Sequence, residues 1–366
     1  MAENGDLYGY IRSLPKIELH RHLEGALRLS TLLEIAQQYN LDVPHNLDQL
    51  RPLVQIMPDE PHSATNFLSK FATLRMFYCS LEVIDRITFE CVEDAARDNI
   101  RYFELRFTPK ALTNVTQASI KEVIEVVCSA VERASSQYPI QVRLIVSVNR
   151  HEPIPYAEHC LKEMLFFKQR GVVALDLAGN EAEFSGAAFA PLFREAKQEG
   201  IFSTVHAGEW SGSETVAEAL MNMRADRIGH GIRSIEDEGI IQILIKRGIL
   251  LEVCPSSNLQ SGVVASLQTH PLRTLYDLGV KVSINTDDPL ISNISLSDEI
   301  YRTVQHMHFS LEDIRQITLN AAQAAFLPPA ERQKLIESFE NGYTTESETS
   351  LDSCNERINH DKNRRF

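Results

Sequence analysis

The stretch KIELHRHLEG occupies residues 16–25. It alternates apolar and polar side chains, then delivers two histidines, a carboxylate and a glycine. A period of two marks a strand, because successive side chains leave a strand on opposite faces. His20 and His22 are therefore expected on one face. Ile17 and Leu19 are expected on the other, against a layer of helices. The stretch is the first of about eight short runs rich in β-branched residues, at 16–22, 100–109, 140–150, 172–180, 201–209, 226–231, 249–257 and 280–289. Each leads through a polar turn into a helical stretch. Strands alternating with helices imply parallel pairing and right-handed crossovers. Eight such units over roughly 250 residues suit an α/β fold of the (β/α)8 TIM-barrel type. The alternative is an open doubly wound sheet, but no G-x-G-x-x-G loop supports it.

Helix boundaries are written in the same runs. Ser119 with Glu122, Ser211 with Glu214 and Ser310 with Asp313 suit caps at helix starts. Gly171, Gly200, Gly248 and Gly279 each stand before a strand, where a helix-ending glycine is expected. A long insert at 24–98, between the first two strands, reads as mostly helical and could cap the barrel mouth. Further helices follow the eighth strand. Residues 1–340 are expected to form one barrel domain, and the polar segment 341–366 a poorly ordered tail.

The chain has 366 residues and a formal net charge of −14. An acidic surface argues against nucleic acid and anionic membranes as partners. Six scattered cysteines form no C-x-x-C pair, which fits a reducing compartment. The polar N-terminal stretch and the lack of an apolar run near 20 residues point to the cytoplasm. Oligomeric state is not legible.

In a barrel of this kind, chemistry collects at the C-terminal ends of the strands. Strand one ends in His20 and His22, strand five in His206 with Glu209 beyond, and strand six in His230. Strand eight ends in Asp287 and Asp288, and strand four runs into Gly179. Alternation also turns Thr204 and His206 inward on strand five, and Ser283, Asn285 and Asp287 inward on strand eight. Each motif alone has an ordinary reading as a turn, a cap or a buried strand. Their conjunction aims imidazoles and a carboxylate at one volume. Zinc suits that donor set, though iron, cobalt or manganese could also fit.

ELHRHLEG, DLAGNE, HAGE, RIGHG, EVCPSSN and INTDDPL, in this order and spacing, resemble the adenosine/adenine deaminase family of metal-dependent hydrolases. The resemblance runs from about residue 12 to about 340. It implies that His20, His22, His206 and Asp287 hold one zinc ion. It further implies that an activated water attacks the purine carbon bearing the exocyclic amine. His230 matches the histidine that orients this water and stabilises its charge. Glu209 matches the acid that protonates the neighbouring ring nitrogen, which requires a raised pKa. Asp288 matches a carboxylate that aligns the water and binds the purine. Gly179 matches a glycine whose N–H meets the ring. Glu24, like His22, falls on the substrate side, where the family meets the sugar. Adenosine-specific members often carry aspartate at that position, so Glu24 bears on the choice of purine.

The implied activity is hydrolytic deamination of adenosine and 2′-deoxyadenosine, a small-molecule substrate class. Adenine, or an adenosine-like nucleoside such as aminodeoxyfutalosine, is the alternative. Strand four lacks the lysine of two-metal relatives, which favours a single ion. Asp176 is either an orienting partner of a metal-bound histidine or a plain buried carboxylate. Glu104 and Arg106 are expected to form an internal ion pair, and Cys254 to be packed. Ser256, Ser257 and Asn258 are expected to shape the loop below the site. Phe67 and Phe71 resemble the family's apolar gate, or belong to plain helix core.

Overall fold

The computed structural model describes residues 3–342. From residue 343 onward, the tail expected from the sequence lies outside the described residues. Eight strands appear: β1 Lys16–His22, β2 Ile100–Phe107, β3 Gln141–Asn149, β4 Val172–Ala178, β5 Phe202–Ala207, β6 Arg227–His230, β7 Leu250–Val253 and β8 Lys281–Ile284. They pair in chain order, and every pair is parallel. A bridge between Arg21 and Asp287 brings β8 round to β1. Two backbone bonds carry it, His22 N–H to Asp287 O and Asp287 N–H to His20 O, each 2.9 Å. This nearly closed barrel removes the open-sheet alternative. β7 and β8 stop earlier than their apolar runs, because Pro255 and Pro289 each open a helix there.

One expectation about β1 fails. Paired residues on parallel strands share a face. Ile17 pairs with Tyr102, Glu18 with Phe103, Arg21 with Leu105 and His22 with Arg106. The register shifts between Glu18 and Arg21, so Leu19 and His20 together stand opposite Glu104. Such a bulge lets two consecutive residues take one face. Ile17 and Leu19 thus cluster with Tyr102 and Leu250, apart from the main core between strands and helices. The helix-side face of β1 instead carries the buried pair Glu18–Arg21, 2.8 Å apart. His20 and His22 do share a face, but the bulge rather than simple alternation brings this about.

The lower barrel is filled by charge over an aromatic floor. Phe326 stacks on Phe202 at 4.9 Å between ring centroids, and the Arg227 guanidinium lies 3.6 Å from the Phe326 centroid. Arg227 pairs with Glu104 and, at 2.7 Å, with Glu252. Arg106 pairs with Glu252 at 2.6 Å and faces Asp176 at 3.4 Å. The expected Glu104–Arg106 pair is therefore replaced by cross-barrel pairs. Same-face neighbours on one strand are about 6.6 Å apart, farther than partners on adjacent strands.

The insert is helical, as read, with helices Leu29–Gln38, Leu47–Val54, Ala64–Leu74 and Leu81–Arg97. Asn46, Ser63 and Ser80 cap the last three. Helix Ala64–Leu74 packs on the turn Leu23–Gly25 that follows β1. Phe67 is buried there and Phe71 partly so. Capping boxes form at Ser119 and Ser310, but not at Ser211. The helix there begins at Ser213 with Gly212 as its cap, because Glu181 takes the Ser211 N–H. No helix among the described residues is long and apolar enough to cross a membrane.

Candidate active site

At the upper end of the barrel, four donors from three strand ends converge. His20 and His22 leave β1, His206 leaves β5, and Asp287 follows β8. Asp287 Oδ1 lies 3.2 Å from His20 Nε2 and 3.4 Å from His22 Nε2. The two Nε2 atoms of His22 and His206 are 3.2 Å apart. One ligand atom from each of the four fits within 4.8 Å of the others, a grouping able to hold a metal ion.

The partners behind these donors set their orientation. His20 Nδ1 is 2.7 Å from Glu252 Oε2, and His206 Nδ1 is 3.0 Å from Asp176 Oδ1. Each carboxylate accepts a hydrogen bond from Nδ1–H and turns the Nε2 lone pair inward, the usual support of a metal-binding histidine. Of the two readings of Asp176, this geometry favours the orienting one. Ser147 donates to Asp176, and Ser257 donates to Asp287 Oδ2, at 2.8 and 2.7 Å. Buried His20 Nε2 has no hydrogen-bond partner. A buried nitrogen without a partner is costly, and a cation among three imidazoles and a carboxylate satisfies it. Burial keeps His22 neutral by pulling its pKa well below the ordinary value. A second grouping, His20, His230, Cys254 and Asp287, also falls within range. Burial pushes the Cys254 thiol well up, so it is a poor donor beside the first set.

Two residues at the site hold left-handed backbone: His230 at φ 57° and Asp287 at φ 61°. Non-glycine residues there cost of order 1–3 kcal/mol each and cluster where function demands a fixed side chain. His230 Nε2 faces Glu209 Oε2 at 3.6 Å and Asp287 Oδ2 at 3.9 Å. Burial, then Asp287, Glu181 and Asp288, push the Glu209 carboxyl well above the ordinary range. Burial opposes ionisation of Asp287, but the facing His20, with His230 and His22, pulls its pKa well below the ordinary value.

Asp288 is buried, and its Oδ1 has no partner. Its room comes from Gly25, where a Cβ would lie 1.9 Å from that oxygen. Gly179 sits at φ 92°, and a Cβ there would meet the Arg150 backbone at 3.3 Å. Glu24 is turned onto the Thr108 N–H at 2.6 Å, while its buried Oε2 has no partner. Burial raises its pKa to about 7.

The sequence reading missed three supports. Glu252 and Arg106 anchor His20 and Asp176 from below, and only barrel closure reveals it. Glu181 lies inside DLAGNE, yet received no role. Its carboxylate accepts the backbone N–H groups of Gly208, Glu209, Trp210 and Ser211 at 2.6–3.0 Å, and the Thr215 hydroxyl at 2.7 Å. It is the template of the loop that carries Glu209. Glu181→Ala leaves the N–H groups of Glu209, Trp210 and Ser211 without an acceptor, at about 1–3 kcal/mol for each that finds no water, while Gly208 N–H keeps the Thr215 hydroxyl and that hydroxyl keeps the Gly212 carbonyl. A fall in stability of about 3 kcal/mol is expected in a denaturant titration. A change below about 0.5 kcal/mol would mean that the loop holds itself.

The family model described as adenosine deaminase matches residues 15–341. The adenosine deaminase of Klebsiella pneumoniae (strain 342) is 37% identical over 331 residues, 90% of this chain and 99% of that protein. Among solved structures, an adenine deaminase from Arthrobacter aurescens superposes with a TM-score of 0.83 at 24% identity, covering 91% of this chain and 100% of the other. An amidohydrolase from Burkholderia ambifaria with bound zinc gives 0.82 at 23% identity, covering 92% and 94%. These two share the barrel. The family model and the relative together span the strand ends described above, and the chain belongs to the adenosine deaminase family.

Proposed function

We propose that the chain converts adenosine and 2′-deoxyadenosine, with water, to inosine and 2′-deoxyinosine and ammonia, using one zinc ion held by His20, His22, His206 and Asp287. The observation that carries this reading is the buried, partnerless His20 Nε2 within a nitrogen-rich donor set. When bound, the ion lowers the pKa of a water from about 15.7 toward about 7, so that a nucleophile exists at neutral pH.

The remaining chemistry belongs to the side chains. Glu209, kept protonated by burial and by neighbouring carboxylates, hands its proton to the ring nitrogen beside the reacting carbon. That converts the ring amidine into an electrophile. His230 stabilises charge developing on the attacking oxygen. Asp288, with its free Oδ1, aligns the water and binds the imidazole side of the purine. The Gly179 N–H meets the opposite ring nitrogen. The partnerless Oε2 of Glu24 is available to a sugar hydroxyl, which favours a nucleoside over the free base. The substrate class is thus a small purine nucleoside. Free cysteines among the described residues suit the cytoplasm.

A substrate panel tests the reading. Adenosine, deoxyadenosine, adenine, AMP and aminodeoxyfutalosine are compared by kcat/KM, with ammonia release as the readout. Adenosine and deoxyadenosine are expected to lead by at least about tenfold, 1.4 kcal/mol in transition-state binding. A clear lead for adenine or AMP would overturn the assignment.

A further inference from the structure

Beneath His230 lies a chain of three side-chain contacts whose polarity is set at its far end. Leu272 donates its backbone N–H to His270 Nδ1 at 3.0 Å. A backbone N–H only donates, so His270 Nδ1 must accept. Burial pushes the His270 pKa down to about 3, so this ring is neutral and its single proton sits on Nε2. That N–H faces Asn258 Oδ1 at 3.2 Å. The Asn258 amide is thereby oriented, and its Nδ2 faces His230 Nδ1 at 3.1 Å. An amide nitrogen only donates. His230 Nδ1 must then accept, and the ring proton must be on Nε2, the nitrogen that faces Glu209 and Asp287. Asp287 Oδ2 accepts from the Ser257 hydroxyl, and such an acceptor favours an N–H over a lone pair. At 3.6 and 3.9 Å neither neighbour is within direct hydrogen-bond distance.

We propose that Asn258 and His270 are positioning residues that fix His230 as the Nε2–H tautomer, so that it meets the reacting centre as a hydrogen-bond donor and not as a base. Both residues are buried. Both act through the ring above them. Within the activity proposed above, His230 then stabilises the oxygen that gains charge, and the proton lost by the water goes to Asp288, whose partnerless Oδ1 is aligned on it. The tautomer itself follows from hydrogen-bond direction and does not rest on that reading.

The wild-type metal-loaded protein, labelled with 15N-histidine, tests the assignment directly. Long-range proton–nitrogen correlation at neutral pH reports which ring nitrogen is protonated, with His230→Gln identifying the signal. A pyridine-type Nδ1 and a pyrrole-type Nε2 are expected. The reverse pattern, or a doubly protonated ring, would overturn the proposal. Asn258→Asp supplies the second arm. A carboxylate still accepts from His270, but it can no longer donate to His230. It therefore demands a proton on His230 Nδ1. The Nδ1 signal is expected to become pyrrole-type, with kcat lower by at least about 10²-fold at full metal content, since a wrong tautomer in a catalytic histidine is that costly or more. An Asn258→Asp protein that kept the wild-type nitrogen pattern would sink the relay. Should the wild type deaminate no nucleoside, the spectrum would still decide the tautomer, so the two readings fail separately.

Discussion

His206→Ala is expected to lose its metal and its turnover together. The imidazole supplies one of four convergent donors, and its Nδ1 is the sole partner of Asp176 Oδ1 that a shorter side chain removes outright. Alanine also leaves Asp176 with only Arg106 and the Ser147 hydroxyl, a buried charge without its histidine partner. Zinc content by elemental analysis should fall well below one per chain. kcat/KM for adenosine should fall by at least about 10⁴-fold, some 5.4 kcal/mol of transition-state stabilisation. A variant that kept one tightly held zinc ion would show that His206 is not a ligand. One that lost the metal but kept more than a tenth of its activity would remove the ion from the reaction.

Glu209→Gln separates proton transfer from metal binding. Glutamine has nearly the same shape, and Glu209 lies outside the four-donor group. The metal should stay, therefore, while turnover drops by about 10²–10⁴-fold, the usual contribution of a positioned acid. The pH profile adds a sign. Burial and three carboxylates raise the Glu209 pKa, so its proton is present at neutral pH and is lost as pH rises through the raised value. Wild-type kcat/KM should decline on the alkaline side, and Glu209→Gln should flatten that decline. If the variant keeps near-normal turnover, the proton comes from elsewhere.

Both experiments address residues legible in the sequence. The motifs at the strand ends were readable because a strand's period and a polar turn are local signals, and the donors lie within a few residues of those turns. The residues that support them were harder. Glu252 touches His20 across 232 residues of chain, and Arg106 reaches Glu252 across 146. Only the closed strand order brings them together, and Arg106 looked like a partner for its own neighbour Glu104. The faces of Ile17 and Leu19 were misread because a bulge is a property of pairing, invisible along one strand. His270 stands in a loop before a proline with no motif around it. Its role depends on the direction of a single backbone N–H at Leu272. Glu181 was in plain view inside DLAGNE, but its meaning lies in the loop 208–211 that it holds.

The floor of the barrel has a kinetic meaning. Phe202, Phe326 and the Arg227 guanidinium close the lower end, and the ion pairs of Arg106 and Arg227 fill the level above. Among the described residues these side chains block the lower end. Nucleoside and water enter, and ammonia and inosine leave, through the mouth beneath helix Ala64–Leu74 and the turn Leu23–Gly25. Exchange at that same upper end makes the order of departure matter, because ammonia released beside the donors must pass a product that still stands above them.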